Sequence, residues 1–377
     1  MKDTSEKSLL NRILCSEEDS DVLKQLAELF DKNPSNYGIC HILANKLMEK
    51  DPKTASKYLM KYLVANPDDV NAWVKFAEIC KKMKYYEGVL MGAGVAMWLT
   101  NSTLATYYYA TALVECGYYS LALKYFAKLK KLYSKDPLLY HNIGVACEKL
   151  ERYNMACKYY SKAIRLNNNL SESWYGLSRC YREMKMSDKA LDAMNCGLKI
   201  KEDPRYYNQL ALCYIDLRDY QSAEDAIKNA IKHNPEEADY WLLLGYVLLM
   251  EERYHEAIDA LKKSAELWEW YSSTWYYLGL AYMELNDNYR AELALKRATR
   301  IDPDDFYINY YTGLAQKNLG KDHIALKNLL RAAKINPKSY EVWLAVSDIL
   351  ESMGEYEIAE LAREKAEKIK ENSEESE

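Results

Sequence analysis

Few residues in this sequence can interrupt a regular fold, since it has only 13 glycines and 8 prolines among 377 residues. Flexible linkers between domains are usually rich in these residues, so a chain of separate, linked domains is not expected. No apolar run is long enough to cross a membrane, and the first fifteen residues lack the apolar core of a signal peptide. We therefore expect one elongated, continuous body without membrane insertion, in the cytoplasm or the nucleus.

Residues and motifs that carry chemistry are also scarce. The chain has 5 histidines and 9 cysteines, with neither a CxxC pair nor an HExxH motif. P-loop, GxSxG and kinase signatures are missing as well. A formal net charge of −5 argues against a broad phosphate-binding face. The sequence therefore predicts a reducing compartment, no catalysis, no metal or other cofactor, and no nucleic-acid partner.

The dominant feature that is present is an internal repeat. Residues 219–235, 288–303 and 321–337 are similar helical stretches that each end on a proline, and the last two of those prolines lie 34 residues apart. A period of this size indicates stacked repeats. Extended in both directions, the register gives ten repeats over residues 36–370, which start at Asn36, Val70, Thr103, Pro137, Ser171, Pro204, Ala238, Ser272, Phe306 and Tyr340.

Large and small side chains occupy fixed places in each repeat. The twentieth place is alanine in nine of the ten repeats, and the eighth place is small in nine. Apolar residues recur at three- and four-residue spacing over places 1 to 14 and 18 to 32, which predicts two amphipathic helices joined by a short turn. One such pair cannot bury its apolar face alone, but stacked pairs can. The fourth place usually carries a ring, as at Trp73, Tyr140, Trp174, Tyr207, Trp241, Trp275 and Trp343.

Residues 238–267, ADYWLLLGYVLLMEERYHEAIDALKKSAEL, carry this pattern most completely. They resemble the tetratricopeptide repeat (TPR), whose 34-residue pattern runs Trp, Leu-Gly, Tyr, Ala, Phe, Ala, Pro. The resemblance covers residues 36 to about 370. It implies an all-α fold, a right-handed α-solenoid of stacked helix-turn-helix repeats, with a concave groove lined mainly by the first helix of each pair.

Both ends and one repeat depart from the pattern. Residues 1–35 are interpreted as a degenerate leading repeat or cap, and residues 371–377 as an acidic tail that we expect to be disordered. The second helix of the repeat that starts at Val70 contains Gly88, Gly92 and Gly94, which a helix normally avoids. The interpretations that stay open are tight packing against the next repeat, a flexible joint, and a close contact with another chain.

In TPR proteins, places 2, 5, 6 and 9 of each first helix point into the groove. Tyrosine is common there in the C-terminal half of this chain, and it offers a large rigid face with a hydroxyl group. Burial of these rings between neighbouring repeats is the alternative interpretation. The candidate partner-binding residues are Tyr175, Arg179, Asn208, Tyr246, Tyr276, Tyr277, Tyr310 and Tyr311.

These features predict a non-catalytic scaffold for protein–protein interaction, which binds a peptide or a partner helix in the groove. The tetrapeptide WYGL at residues 174–177 is similar to TPR subunits of the anaphase-promoting complex, although bacterial and archaeal TPR proteins share similar repeats. A structural subunit of such an assembly is therefore an alternative. A homo-oligomer built near Gly92, and an accessory partner of a protein- or glycan-modifying enzyme, also stay open.

Overall fold

The computed structural model describes residues 20–32 and 36–374, and every regular element in those ranges is an α-helix. The chain divides into two compact units, of which the first ends at Met184 and the second begins at Lys185. In most pairs, the two helices pack more closely on each other than on the neighbouring pair. The fold is an all-α solenoid of stacked helix pairs, which confirms the predicted class.

Ten described helices belong to the first unit. They are α1 (Ser20–Lys32), α2 (Tyr37–Leu47), α3 (Pro52–Ala65), α4 (Val70–Lys82), α5 (Tyr86–Thr100), α6 (Thr103–Glu115), α7 (Tyr119–Leu129), α8 (Pro137–Lys149), α9 (Tyr153–Leu166) and α10 (Ser171–Glu183).

Eleven described helices belong to the second unit. They are α11 (Ser187–Ile200), α12 (Pro204–Asp216), α13 (Tyr220–His233), α14 (Ala238–Met250), α15 (Tyr254–Leu267), α16 (Ser272–Glu284), α17 (Asn288–Ile301), α18 (Phe306–Asn318), α19 (Asp322–Ile335), α20 (Tyr340–Ser352) and α21 (Tyr356–Glu374).

Glycine in the first helix of a pair makes room for leucine in the second. A Cβ atom on Gly245 would lie 2.4 Å from Cγ of Leu261, and one on Gly279 would lie 2.5 Å from Cγ of Leu295. Both leucines are completely buried. Since no side chain tolerates such distances, the absence of a Cβ allows the two helices to approach and the leucine to fill the space between them.

The tryptophan at the fourth place of a repeat stabilises the turn that precedes its helix through a hydrogen bond. The indole N–H of Trp241 donates to the carbonyl oxygen of Pro235 at 2.8 Å, and that of Trp275 donates to the carbonyl of Glu269 at 2.8 Å. In α18, where asparagine takes this place, the amide of Asn309 donates to Pro303 at 2.8 Å. The same hydrogen bond therefore accounts for tryptophan or asparagine at the fourth place of these repeats.

In nine of the ten pairs, the turn between the two helices contains one residue in the left-handed region of the backbone map; the turn between α2 and α3 has none. Glycine occupies that place at Gly117, Gly320 and Gly354, where it adopts positive φ without strain. Other turns place a residue with a Cβ there, such as Glu252 at φ +61°. Those turns are built at some energetic cost, because side chains disfavour this conformation.

Buried carboxylates connect successive helix pairs. Glu292 on α17 is almost completely buried, and its oxygens contact Nζ of Lys321 at 2.5 Å and Nζ of Lys296 at 2.8 Å. Glu224 makes the equivalent contact with Arg253 at 2.7 Å. Burial opposes ionisation of Glu292, but the hydrogen bonds from the two lysines outweigh it and lower its pKa. These two pairs are thus linked by an ion pair to the turn of the next pair.

The glycine-rich helix α5 packs mainly on its own partner. A Cβ atom on Gly92 would lie 3.0 Å from the backbone oxygen of Trp73, on α4, and one on Gly88 would lie 2.7 Å from Sγ of Cys80. Gly94 alone faces the next repeat, where the ring of Tyr109 would lie 3.5 Å from an added Cβ. The glycines of α5 are therefore tightly packed, as one interpretation predicted. However, Gly88 and Gly92 contact the first helix of the same repeat rather than the next repeat.

The two ends of the chain lie partly outside the described residues. Of the predicted leading cap at residues 1–35, the described part is α1, whose Leu26 and Phe30 pack against Ile39 and Leu43 of α2. The last helix, α21, continues to Glu374, and residues 375–377 of the predicted tail lie outside the described ranges. The interpretation of these ends as a cap and a disordered tail stays a prediction.

Candidate functional site

Five of the predicted partner-binding tyrosines meet on the first helices of three successive pairs, α14, α16 and α18. Their ring centroids are 5.3 Å apart for Tyr246 and Tyr277, 5.1 Å for Tyr277 and Tyr276, 5.8 Å for Tyr276 and Tyr311, and 5.2 Å for Tyr311 and Tyr310. Most of these contacts are tilted or edge-to-face, which are favourable aromatic geometries. We call these five residues the tyrosine row.

All five rings of the tyrosine row are half-buried, so each packs against the scaffold and keeps part of its surface in solvent. Burial raises the pKa of Tyr276 and Tyr277, and neighbouring phenols add to the effect. The hydroxyl groups are therefore neutral at physiological pH, where they can donate and accept hydrogen bonds. The row combines apolar ring surface with polar groups suited to a peptide backbone.

Two further aromatic residues extend the row at α18. The ring of Phe306 stacks on Tyr310 with 6.1 Å between centroids, and it meets Tyr307 edge-on at 5.1 Å. Tyr307 is 60% exposed, more than any member of the row. It therefore offers a ring at the edge of the row that a partner could reach without displacing the scaffold.

Carboxylates stand on the helices of the tyrosine row and on the next first helix, α20. Asp239 on α14, Glu284 on α16 and Glu341 on α20 are exposed. Asp239 is hydrogen-bonded to the phenol of Tyr271, and the hydroxyl of Ser339 donates to Glu341 at 2.7 Å. Burial raises the pKa of Tyr311, and the negative charge of Glu284 raises it further. Burial is also the main cause that raises the pKa of Tyr310, and the neighbouring phenol of Tyr311 and the negative charge of Glu341 raise it further. We call Asp239, Glu284 and Glu341 the acidic rim.

The remaining candidates are not members of the tyrosine row. Arg179, on α10 in the first unit, forms a 2.7 Å ion pair with the buried Glu148, and its guanidinium lies 5.7 Å from the ring centre of Tyr175. Glu148 also accepts a 2.6 Å hydrogen bond from the hydroxyl of Tyr160. Arg179 is thus already engaged with the scaffold. Asn208 is half-buried on α12 of the second unit.

Sequence reasoning selected the tyrosines but did not select the acidic rim or Tyr307. Asp239, Tyr307 and Glu341 stand at the second place of their repeats, which the family pattern assigns to the groove, so a signal for them existed. Glu284 stands one helical turn beyond the ninth place. Its proximity to Tyr311, on the next first helix, depends on how neighbouring pairs stack, which the repeat pattern alone does not specify.

Neither a metal site nor a membrane span appears in the part of the chain that the structure describes. Within residues 20–32 and 36–374, no group of three histidine, cysteine, aspartate or glutamate side chains is placed to hold a metal ion. No helix in the same ranges has both the length and the apolar character needed to cross a bilayer.

Comparison with known families gives three matches to models of the tetratricopeptide repeat. They cover residues 138–170, 208–269 and 248–316, and so include segments of both units. The last two contain α14 and α16, on which three members of the tyrosine row lie.

Several curated relatives are subunits of multiprotein complexes. Anaphase-promoting complex subunit cut9 of Schizosaccharomyces pombe is 25% identical over 203 residues, which are 50% of this chain and 30% of the relative. Subunit CDC16 of Saccharomyces cerevisiae is 23% identical over 58% of this chain and 27% of its own length. BBSome complex member BBS4 of Mus musculus is 26% identical over 26% of this chain and 19% of its own length. The chain thus spans less than a third of each of these relatives.

A solved structure shares the architecture. The crystal structure of the APC/C hetero-tetramer Cut9–Hcn1 is similar with a TM-score of 0.54 and 15% sequence identity. The similarity covers 84% of this chain and 64% of the other chain. At this identity, the similarity establishes a shared solenoid fold.

Proposed function

The chain belongs to the tetratricopeptide-repeat superfamily, and we propose that it is a non-catalytic scaffold that holds a peptide or helix of another protein on the tyrosine row. The observation that carries this proposal is the unbroken series of ring contacts from Tyr246 to Tyr310, with part of every ring in solvent. A row of rings that only packed neighbouring repeats together would be buried more completely.

The dimensions of the tyrosine row suit a short segment. Neighbouring packed helices lie roughly 8 to 10 Å apart, so a row across three helices extends over roughly 20 Å. An extended chain advances about 3.3 to 3.6 Å per residue, so about six residues would span it. Half-buried tyrosines lose little side-chain entropy when they are covered, which is why this residue is frequent at protein interfaces.

Site-specific photo-crosslinking tests the proposal. A photoreactive phenylalanine analogue at Tyr307, beside the row, should crosslink one defined segment of another protein in cells of the source organism. The matched control is the same analogue at Tyr289, which is 63% exposed on the second helix α17. Mass spectrometry identifies the crosslinked peptides. Equal crosslinking of the same segments at both positions would show that the tyrosine row is not a specific binding surface.

A second candidate function, a structural subunit that assembles with a second copy of the chain, is favoured by the outer face of α5. Trp98 is 84% exposed and Met91 is 44% exposed on this helix, and no charged residue occurs from Val89 through Thr100. An exposed apolar helix face of this kind suits a self-complementary contact. The subunits of complexes among the relatives are consistent with such a role.

Multi-angle light scattering tests the second candidate. We expect a dimer at micromolar concentration, which Trp98→Lys converts to a monomer. Leu132→Lys is the control, since Leu132 is an exposed apolar side chain, at 67%, that lies outside α5. A wild-type protein that is strictly monomeric at ~50 µM would exclude self-assembly through this face, at the affinity typical of stable dimers.

A further inference from the structure

We propose that the segment held by the tyrosine row is basic, with several lysine or arginine side chains that lie over the rings and pair with the acidic rim. This inference rests on the function proposed above and specifies the chemistry of its partner. It follows from the charges around the row, the geometry of the rings, and the cations that the chain itself places on other rings.

The charge around the tyrosine row is predominantly negative. Exposed carboxylates stand on α14, α16 and α20, and Asp305, at the N-terminus of α18, lies beside Tyr276. The basic groups nearby are fewer. Lys317 forms a 2.6 Å ion pair with Asp348. Burial raises the pKa of Tyr246, and the charges of Arg218 and Asp216 have opposite effects on it, since Arg218 lowers it and Asp216 raises it. A partner with negative charge would meet repulsion here, whereas a positive one would meet attraction.

The rings of the tyrosine row have an unfilled capacity to bind cations. Elsewhere in the chain, Arg297 lies 4.6 Å from the ring centre of Trp275, and Lys365 lies 3.7 Å from that of Trp343. In the part of the chain that the structure describes, no lysine or arginine of the protein lies over any ring of the row. A cation within about 6 Å of an aromatic face is attracted to it, and desolvation increases the attraction.

Rings and carboxylates can act on the same partner side chain. Glu284 is close enough to Tyr311 to raise the pKa of its phenol, and Glu341 does the same for Tyr310, in both cases in addition to the effect of burial. A guanidinium group can stack on a ring and at the same time direct its N–H groups to a carboxylate. Tyr311 with Glu284 and Tyr310 with Glu341 therefore form two neighbouring sites for cationic side chains along one segment.

Selection from a displayed library of random 16-residue peptides tests this inference on the full chain. We expect the enriched peptides to carry a net positive charge and to bind more weakly as the salt concentration rises. The affinities of synthetic, fluorescein-labelled versions are then measured by fluorescence polarisation.

Neutralising the acidic rim supplies the charge test. The variant Asp239→Asn, Glu284→Gln, Glu341→Gln removes three exposed charges, so basic peptides should bind about tenfold more weakly. The control variant makes the same change in net charge on second helices, at the exposed residues Asp225, Asp259 and Glu357, and should leave binding unchanged. Since all six side chains are exposed, folding should be preserved in both variants, which circular dichroism verifies.

The possible outcomes separate the two proposals. If neutral or acidic peptides are enriched and their binding is lost in Tyr307→Ala but not in Tyr289→Ala, the basic partner is wrong and the tyrosine row remains the binding surface. If basic peptides are enriched but bind the acidic-rim variant as tightly as the wild type, the inference is also wrong. A selection that enriches nothing, or only peptides indifferent to Tyr307→Ala, overturns the inference and the proposed function together.

Discussion

Replacing Gly279 with alanine should destabilise the second unit, although alanine is the better helix former. The new Cβ would lie 2.5 Å from Cγ of Leu295, a buried side chain with no solvent into which it could move. Overpacking of this kind costs about 1 to 3 kcal/mol. Alanine regains about 1 kcal/mol of helix propensity. The expected net loss is about 1 kcal/mol in the free energy of unfolding.

Gly94→Ala is the matched control, since Gly94 is also a helical glycine of the repeat array. The nearest atom to its added Cβ is Cε2 of Tyr109 at 3.5 Å, an ordinary van der Waals contact. Because there is no clash, only the gain in helix propensity remains, and the free energy of unfolding should rise by up to about 1 kcal/mol. The two identical substitutions are thus expected to have effects of opposite sign.

Urea denaturation followed by circular dichroism gives the stability of each variant. Hydrogen exchange detected by mass spectrometry shows whether the loss in Gly279→Ala is confined to α16 and α17. Leu295→Ala removes the side chain that the new methyl group would meet, so the double variant should lose less stability than the sum of the two single losses. Additive losses, or a Gly279→Ala variant at least as stable as the wild type, would refute the close-approach explanation.

Two further predictions concern the turns and the buried charges. Glu252→Gly should raise the free energy of unfolding by about 0.5 to 1 kcal/mol, because glycine relieves the strain at φ +61°; Lys262→Gly, in the middle of α15, should lower it by about 1 kcal/mol, and urea denaturation compares them. The pKa of Glu292 is lowered in the folded state, so its ion pairs stabilise the protein above the ordinary glutamate pKa of 4.5 and lose their effect as the pH falls below it. Glu292→Gln should therefore be less stable than wild type at pH 7, by a difference that narrows towards pH 3, whereas the exposed Glu269→Gln should match the wild type at both; a difference that does not depend on pH would contradict the ion-pair explanation.

The sequence predicts the fold class because its 34-residue period repeats both the small and the large places. Trp275 and Gly279 could be recognised as scaffold residues from that period alone. The atoms they contact could not, because the acceptor of the Trp275 indole and the leucine beside Gly279 are set by the crossing of two helices. For the same reason, the sequence left the neighbour of Gly92 open, and the structure places it on α4 of the same pair.

The candidate site could be predicted in part. The family pattern assigns Tyr276 and Tyr277, at places 5 and 6 of their repeat, to the groove, but ring contact between Tyr276 and Tyr311 depends on the rotation between successive pairs. That rotation is a sum of many small packing contacts, so no short motif encodes it. The engagement of Arg179 by Glu148, which stands 31 positions earlier in the chain, was missed for the same reason.

The affinity of the segment identified by crosslinking at Tyr307 tests the central claim most directly. Isothermal titration calorimetry should compare the wild type with Tyr276→Ala/Tyr311→Ala and with Tyr289→Ala, with circular dichroism as the check on folding. Buried aromatic anchors at interfaces contribute about 2 kcal/mol or more each, so the double variant should bind about a thousandfold more weakly. Tyr289→Ala should bind as the wild type does. Unchanged affinity in a folded double variant would contradict the proposal that the tyrosine row holds the partner.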